Sequence, residues 1–124
     1  MRLNSVHDVE EMGQKHGTKI AKLVYDKYGP DAAILGDLLY DADPGDLIEA
    51  DPDYIIKAIG PMEPRQERIL RSICNSIRKF VTNEFGNMDD EDDFADEYGD
   101  TPTTVFIVAF WNAFDDILNR LQLQ

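Results

Sequence analysis

The sequence predicts a mainly α, single-domain bundle of about five to seven helices. Apolar residues recur at three- and four-residue spacing in several windows, and proline and glycine mark the ends of those windows, commonly beside an acid suited to a helix cap. No run alternates strictly over several residues, and no Asn-Gly or Asp-Gly pair marks a hairpin. The length, 124 residues, fits one domain able to bury a core without disulfides or metal. Residues 1–124 are therefore read as a single acidic helical domain.

Ser5, with Asp8 three residues on, resembles a capped start for a segment carrying Val6, Val9 and Met12, expected to end near Gly13 or Gly17. Thr18 is then expected to cap a second helix through Ile20, Leu23, Val24 and Tyr28, stopped by Gly29-Pro30. Asp31 heads a third segment with an apolar stripe at Ile34, Leu35, Leu38 and Leu39. Asp43-Pro44 and Asp51-Pro52 each pair a capping acid with a first-turn proline and open short helices, the second closed by Gly60-Pro61. Such helices need tertiary packing to persist.

Pro64 opens the most regular segment. Residues 69, 70, 73, 77, 80, 81 and 85 form one apolar face up to Gly86, so this helix is expected to organise the core. Thr101-Pro102 or Thr103 starts a last helix, apolar all round at first and then one-sided at Phe114, Ile117, Leu118 and Leu121. Its β-branched and aromatic content over residues 104–111 also suits a buried strand, the one alternative to helix in this reading.

Charge carries most of the functional argument. The formal net charge is −13, from 25 acids and 12 bases. A field of this sign repels nucleic acid and anionic membranes and draws in basic proteins. Residues 1–60 hold 12 acids and 6 bases, residues 61–86 hold 3 and 5, and residues 87–124 hold 10 and 1. Two acidic segments thus flank one mildly basic helix. Adaptation to high salt would also suit 17 Asp, but six Lys remain beside six Arg.

The stretch NMDDEDDFADEYGD, residues 87–100, holds eight carboxylates and no base. A calcium loop would need glycine at its sixth position and glutamate at its twelfth; starting from Asp89 these are Phe94 and Asp100. The loop geometry fails. What remains is an acidic loop, or a short helical turn held by Phe94 and Tyr98, four residues apart. In the second form Asp89, Asp90, Glu91, Asp92, Asp93, Asp96, Glu97 and Asp100 make a negative array, the candidate partner-binding residues.

No catalytic, cofactor or metal residues are predicted. His7 and His16 lack HExxH spacing and are read as solvated, and the eight glycines form no phosphate loop. Cys74, between Ile73 and Ile77, is read as a small core hydrophobe. A single cysteine favours a reducing compartment, an amino terminus without a signal-like apolar run agrees with cytoplasm, and the longest apolar run, VFIVAFW, is far too short for a bilayer. Arg65, Arg68 and Arg71, with Arg78 and Lys79, could grip phosphate, but are better read as neutralising acids within the fold.

The expected function is a noncatalytic acidic binder that masks a basic, nucleic-acid-binding surface of another protein, as a DNA mimic or inhibitor. An immunity protein for a basic nuclease toxin, an acidic assembly or secretion chaperone, and a metal-binding enzyme are the alternatives. Expected partners are a basic protein, a nuclease or other nucleic-acid-binding protein, with a second copy in a homodimer as a further alternative and no direct nucleic-acid or membrane binding.

Overall fold

A computed structural model describes residues 6–40, 42, 44–47, 49–85 and 102–122. Six α-helices lie among them: α1 (Val6–Tyr28), α2 (Pro30–Tyr40), α3 (Pro44–Leu47), α4 (Pro52–Ile59), α5 (Pro64–Phe85) and α6 (Pro102–Gln122). The described residues contain no strand, so the mainly α class holds and residues 104–111 are helical. Ser5 and Asp43 fall outside the described residues.

Helix α6 is the centre of the bundle. Phe106, Phe110, Phe114 and Leu118 recur every four residues and are fully buried, with Ile107 and Trp111 beside them. Burial of each such side chain contributes roughly 1.5–3 kcal/mol. The rings of Phe110 and Trp111 meet edge to face at 5.3 Å, as do those of Trp111 and Phe114 at 5.6 Å. Helix α5 supplies Ile69, Leu70, Ile73, Cys74 and Ile77, and so bears out its predicted apolar face.

One helix runs where two were expected. Neither Gly13 nor Gly17 ends a helix; α1 continues through both for 23 residues. The reason is packing, because a Cβ at Gly13 would lie 2.5 Å from the Phe106 carbonyl oxygen and 2.8 Å from the Ala109 Cβ. A Cβ at Gly17 would strike the Phe110 carbonyl. The glycines four residues apart let α1 and α6 approach through their backbones.

The connections follow the expected chemistry. Gly29, at φ 60°, closes α1 with its N–H on the Tyr25 carbonyl at 2.7 Å, and Gly60, at φ 115°, closes α4 with its N–H on Ile56 at 2.8 Å. Asp51 caps α4, its carboxylate accepting from the Asp53 N–H at 3.1 Å and the Tyr54 N–H at 3.5 Å. In α2 the buried side is Ala32, Leu35 and Leu39, whereas Ile34 is 49% exposed, so the expected stripe is rotated by one position.

Candidate functional site

The predicted binding residues Asp89, Asp90, Glu91, Asp92, Asp93, Asp96, Glu97 and Asp100, with Phe94 and Tyr98, lie outside the described residues. A second carboxylate-rich surface stands within them. Between Lys27 and Lys57 the sequence holds eight acids and no base. Three of these are tied down by α5: Asp31 to Arg65 at 3.6 Å, Asp53 to Arg71 at 2.7 Å and Asp51 to Arg78 at 4.0 Å. Arg71 also holds Glu67 at 2.9 Å, one turn away on its own helix.

These pairs bear out the reading of Arg65, Arg71 and Arg78 as internal neutralisers. Their role is positional, since each reaches from α5 to the segment that carries α2, α3 and α4. Arg78 adds a donated bond from Nε to the Ala50 carbonyl at 3.1 Å. Ala50 is buried with φ 50°, a left-handed conformation that costs a non-glycine residue about 1–2 kcal/mol. The bond and the buried methyl hold that turn in place.

Asp37, Asp46 and Glu49 form no ion pair among the described residues. Helix packing brings Asp37 together with two further acids, Asp115 and Asp116. At Gly36 a Cβ would come within 2.9 Å of Leu118, so α2 runs close against the end of α6. That approach sets Asp37 against Asp115, whose carboxyl is pushed up by partial burial, by Asp37 and by Asp116. The Trp111 indole N–H donates to the Leu47 carbonyl at 3.2 Å, which seats α3, and with it Asp46, beside α6 one turn before Asp115. Of these acids Asp116 alone has a cation among the described residues, Arg120 at 3.3 Å.

No family model, no curated protein and no solved structure matches this chain. The site therefore stands on its own geometry. Asp37 of α2 meets Asp115 and Asp116 of α6, and α3, which carries Asp46, also packs on α6. Ile34, three residues from Asp37 and on the same side of α2, offers an exposed apolar anchor beside the carboxylates. Such a surface can meet spaced cations and bury one large side chain.

The remaining candidates for chemistry take other parts. Cys74 is fully buried and its thiol is pushed up to about 12, chiefly by burial, with Arg78 opposing, so it is a core residue as expected. His16 departs from the solvated reading. It is half-buried, stacked on Phe80 at 4.5 Å and tilted against Phe110 at 5.6 Å. Burial, then Lys19, holds its imidazole below the usual value. Among the described residues no group of three or more His, Cys, Asp or Glu is placed to hold a metal ion, and no helix is long and apolar enough to cross a membrane.

The acid-only stretch from residue 28 to 56 is visible in the sequence, but the four lysines of α1 mask it in the total for residues 1–60. The meeting of Asp37 and Asp115 had no local signal. It arises from the α2–α6 crossing at Gly36.

Proposed function

We propose that this chain is a noncatalytic acidic binding protein that masks a basic, nucleic-acid-binding surface of another protein. The observation that carries the reading is the crowding of Asp37, Asp115 and Asp116 at one helix crossing. Like charges so placed oppose folding, and a nearby lysine would relieve them at little cost. Arginines of α5 are instead directed to Asp31, Asp51 and Asp53, and Arg120 reaches Asp116 alone, which leaves Asp37 and Asp115 without an ion pair among the described residues. A cationic partner removes the repulsion on binding and is drawn in by the −13 field.

Ile34 favours an inhibitor of the immunity-protein kind over an extended DNA mimic. A mimic needs negative groups spread at phosphate-like spacing; a focused inhibitor needs one complementary patch with an apolar anchor, and Ile34 beside Asp37 supplies it. The run 89–100 adds eight carboxylates to the field that steers such a partner, whichever surface forms the contact.

Capture of basic nucleic-acid-binding proteins on the immobilised chain, at low and high salt, tests the proposal. The native chain is expected to retain a basic partner at low salt and release it at high salt. Asp37→Asn with Asp115→Asn, and separately Asn at Asp89, Asp90, Asp92 and Asp93, should weaken capture. Retention that is indifferent to salt and to both sets of substitutions overturns it.

A further inference from the structure

The positive charge of this acidic molecule is gathered on two facing helix stretches. Residues 15–28 of α1 and 68–83 of α5 hold eight bases and one acid, Asp26, for a net of +7; the other 94 residues hold four bases and 24 acids, for a net of −20. The two stretches meet where His16 stacks on Phe80. Below that contact an open groove of about 140 Å³ runs between them, walled by Ile20, Leu23 and Val24 on one side and Ile73 with Ser72 and Ser76 on the other.

Three properties of this groove go together. Its apolar wall is open at Leu23, which is 54% exposed, more than any other large hydrophobic side chain among the described residues, while Val24 and Ile73 form a buried floor. Its rim is cationic: Lys27 lines it, Lys22 adjoins Leu23, and Arg68 and Lys79 lie one turn from Ser72 and Ser76 on α5. None of these four cations forms an ion pair among the described residues, in a chain with acids to spare. Arg65, Arg71 and Arg78 of the same helix each have a carboxylate.

We propose that the α1–α5 groove docks an acidic peptide segment of a partner protein, which packs large apolar side chains against Leu23 and Ile20 while its carboxylates meet Lys22, Lys27, Arg68 and Lys79. Charge complementarity selects the occupant's sign, and the apolar wall selects an amphipathic peptide, one turn of helix matching the slot. Ser72 and Ser76 hydroxyls can donate to its carboxylates or carbonyls. Tyr28 also lines the slot, with the Lys27 ammonium over its ring at 5.2 Å, but a long polyanion such as nucleic acid would extend past the groove and meet the −20 carried by the remaining residues, which a short acidic segment need not. A second copy would bring −13 against −13. The groove differs in sign and in helices from the carboxylate face, so both can be occupied at once.

Fluorescence anisotropy at low salt tests this with three probes: a labelled Asp/Glu peptide carrying Leu and Phe one helical turn apart, the same peptide with both changed to Ser, and an oligo-dT of equal charge. The expected result is saturable binding of the first probe and binding weaker by about tenfold or more for the other two. Leu23→Asp, at an exposed position, should weaken the first probe about tenfold. The pair Lys27→Glu and Arg68→Glu should abolish its binding, with helical circular dichroism unchanged. No binding of the first probe, equal or tighter binding of the Ser peptide or oligo-dT, or indifference to Leu23→Asp overturns the proposal. Asp37→Asn with Asp115→Asn should leave this binding intact, which separates its failure from that of the acidic face.

Discussion

Gly17 of α1 lies directly against the main-chain carbonyl of Phe110 in α6, with no room for a Cβ between them. Together with Gly13 on Phe106, this contact lets the two helices share the aromatic core, against which α2, α3 and α5 pack.

Gly17→Ala sets two effects against each other. Alanine gains about 1 kcal/mol in helix propensity, while forcing the helices apart costs about 1–3 kcal/mol and loosens the burial of Phe106 and Phe110. Overpacking should win, with a net loss of about 1–2 kcal/mol in urea unfolding at an unchanged m-value. Gln14→Ala, exposed on the same helix, should change stability by less than about 0.5 kcal/mol.

His16 makes stability fall on the acid side of neutrality. Burial and Lys19 depress its folded-state value below 6.5, so the unfolded chain takes up the proton first. Its contribution is complete above the unfolded value and is lost as pH falls through 6.5 toward the folded value. Unfolding free energies of native protein and His16→Phe, compared from about pH 7.5 down to about pH 5.5, should diverge as the native protein weakens. A constant difference across that range contradicts the assignment.

Asp115 has the opposite signature. Its carboxyl is raised, so the folded protein binds the proton more tightly than the unfolded chain, and stability falls as pH rises from the ordinary carboxylate range through the raised value. Asp115→Asn should flatten that fall and stabilise the protein at neutral pH by up to about 0.5 kcal/mol. The same substitution should weaken partner capture, and gain in stability with loss of binding is the mark of a functional charge.

Cys74 should be inert to a thiol-specific disulfide reagent in the native protein. It is fully buried and its thiol is pushed up to about 12, so labelling has to follow unfolding. Reaction rates should rise steeply across the urea transition, and rapid labelling of native protein would place the thiol elsewhere.

Much of the fold was legible. The α5 stripe, the Gly29 and Gly60 stops, the Asp51 cap and the buried Cys74 all follow from periodicity and backbone chemistry near each residue. Gly13 and Gly17 misled because a glycine at a helix end and a glycine at a helix crossing look alike in one dimension; only the partner helix tells them apart. His16 misled for a similar reason, since Phe80 and Phe110, which enclose it, are remote in sequence. In the candidate site, the acid-only stretch was readable and the ion pairs of Arg65, Arg71 and Arg78 were expected in kind. The Asp37–Asp115 crowding required the α2–α6 crossing and had no local trace.

The most direct test of the acidic-face account is whether duplex DNA and this protein exclude each other on one partner. A basic protein captured on the immobilised chain is titrated with duplex DNA at constant salt, and the partner remaining bound is measured. The account predicts that DNA displaces the partner, and that Asp37→Asn with Asp115→Asn lowers the DNA concentration needed. A stable ternary complex, with partner still held on the chain while bound to DNA, would contradict it.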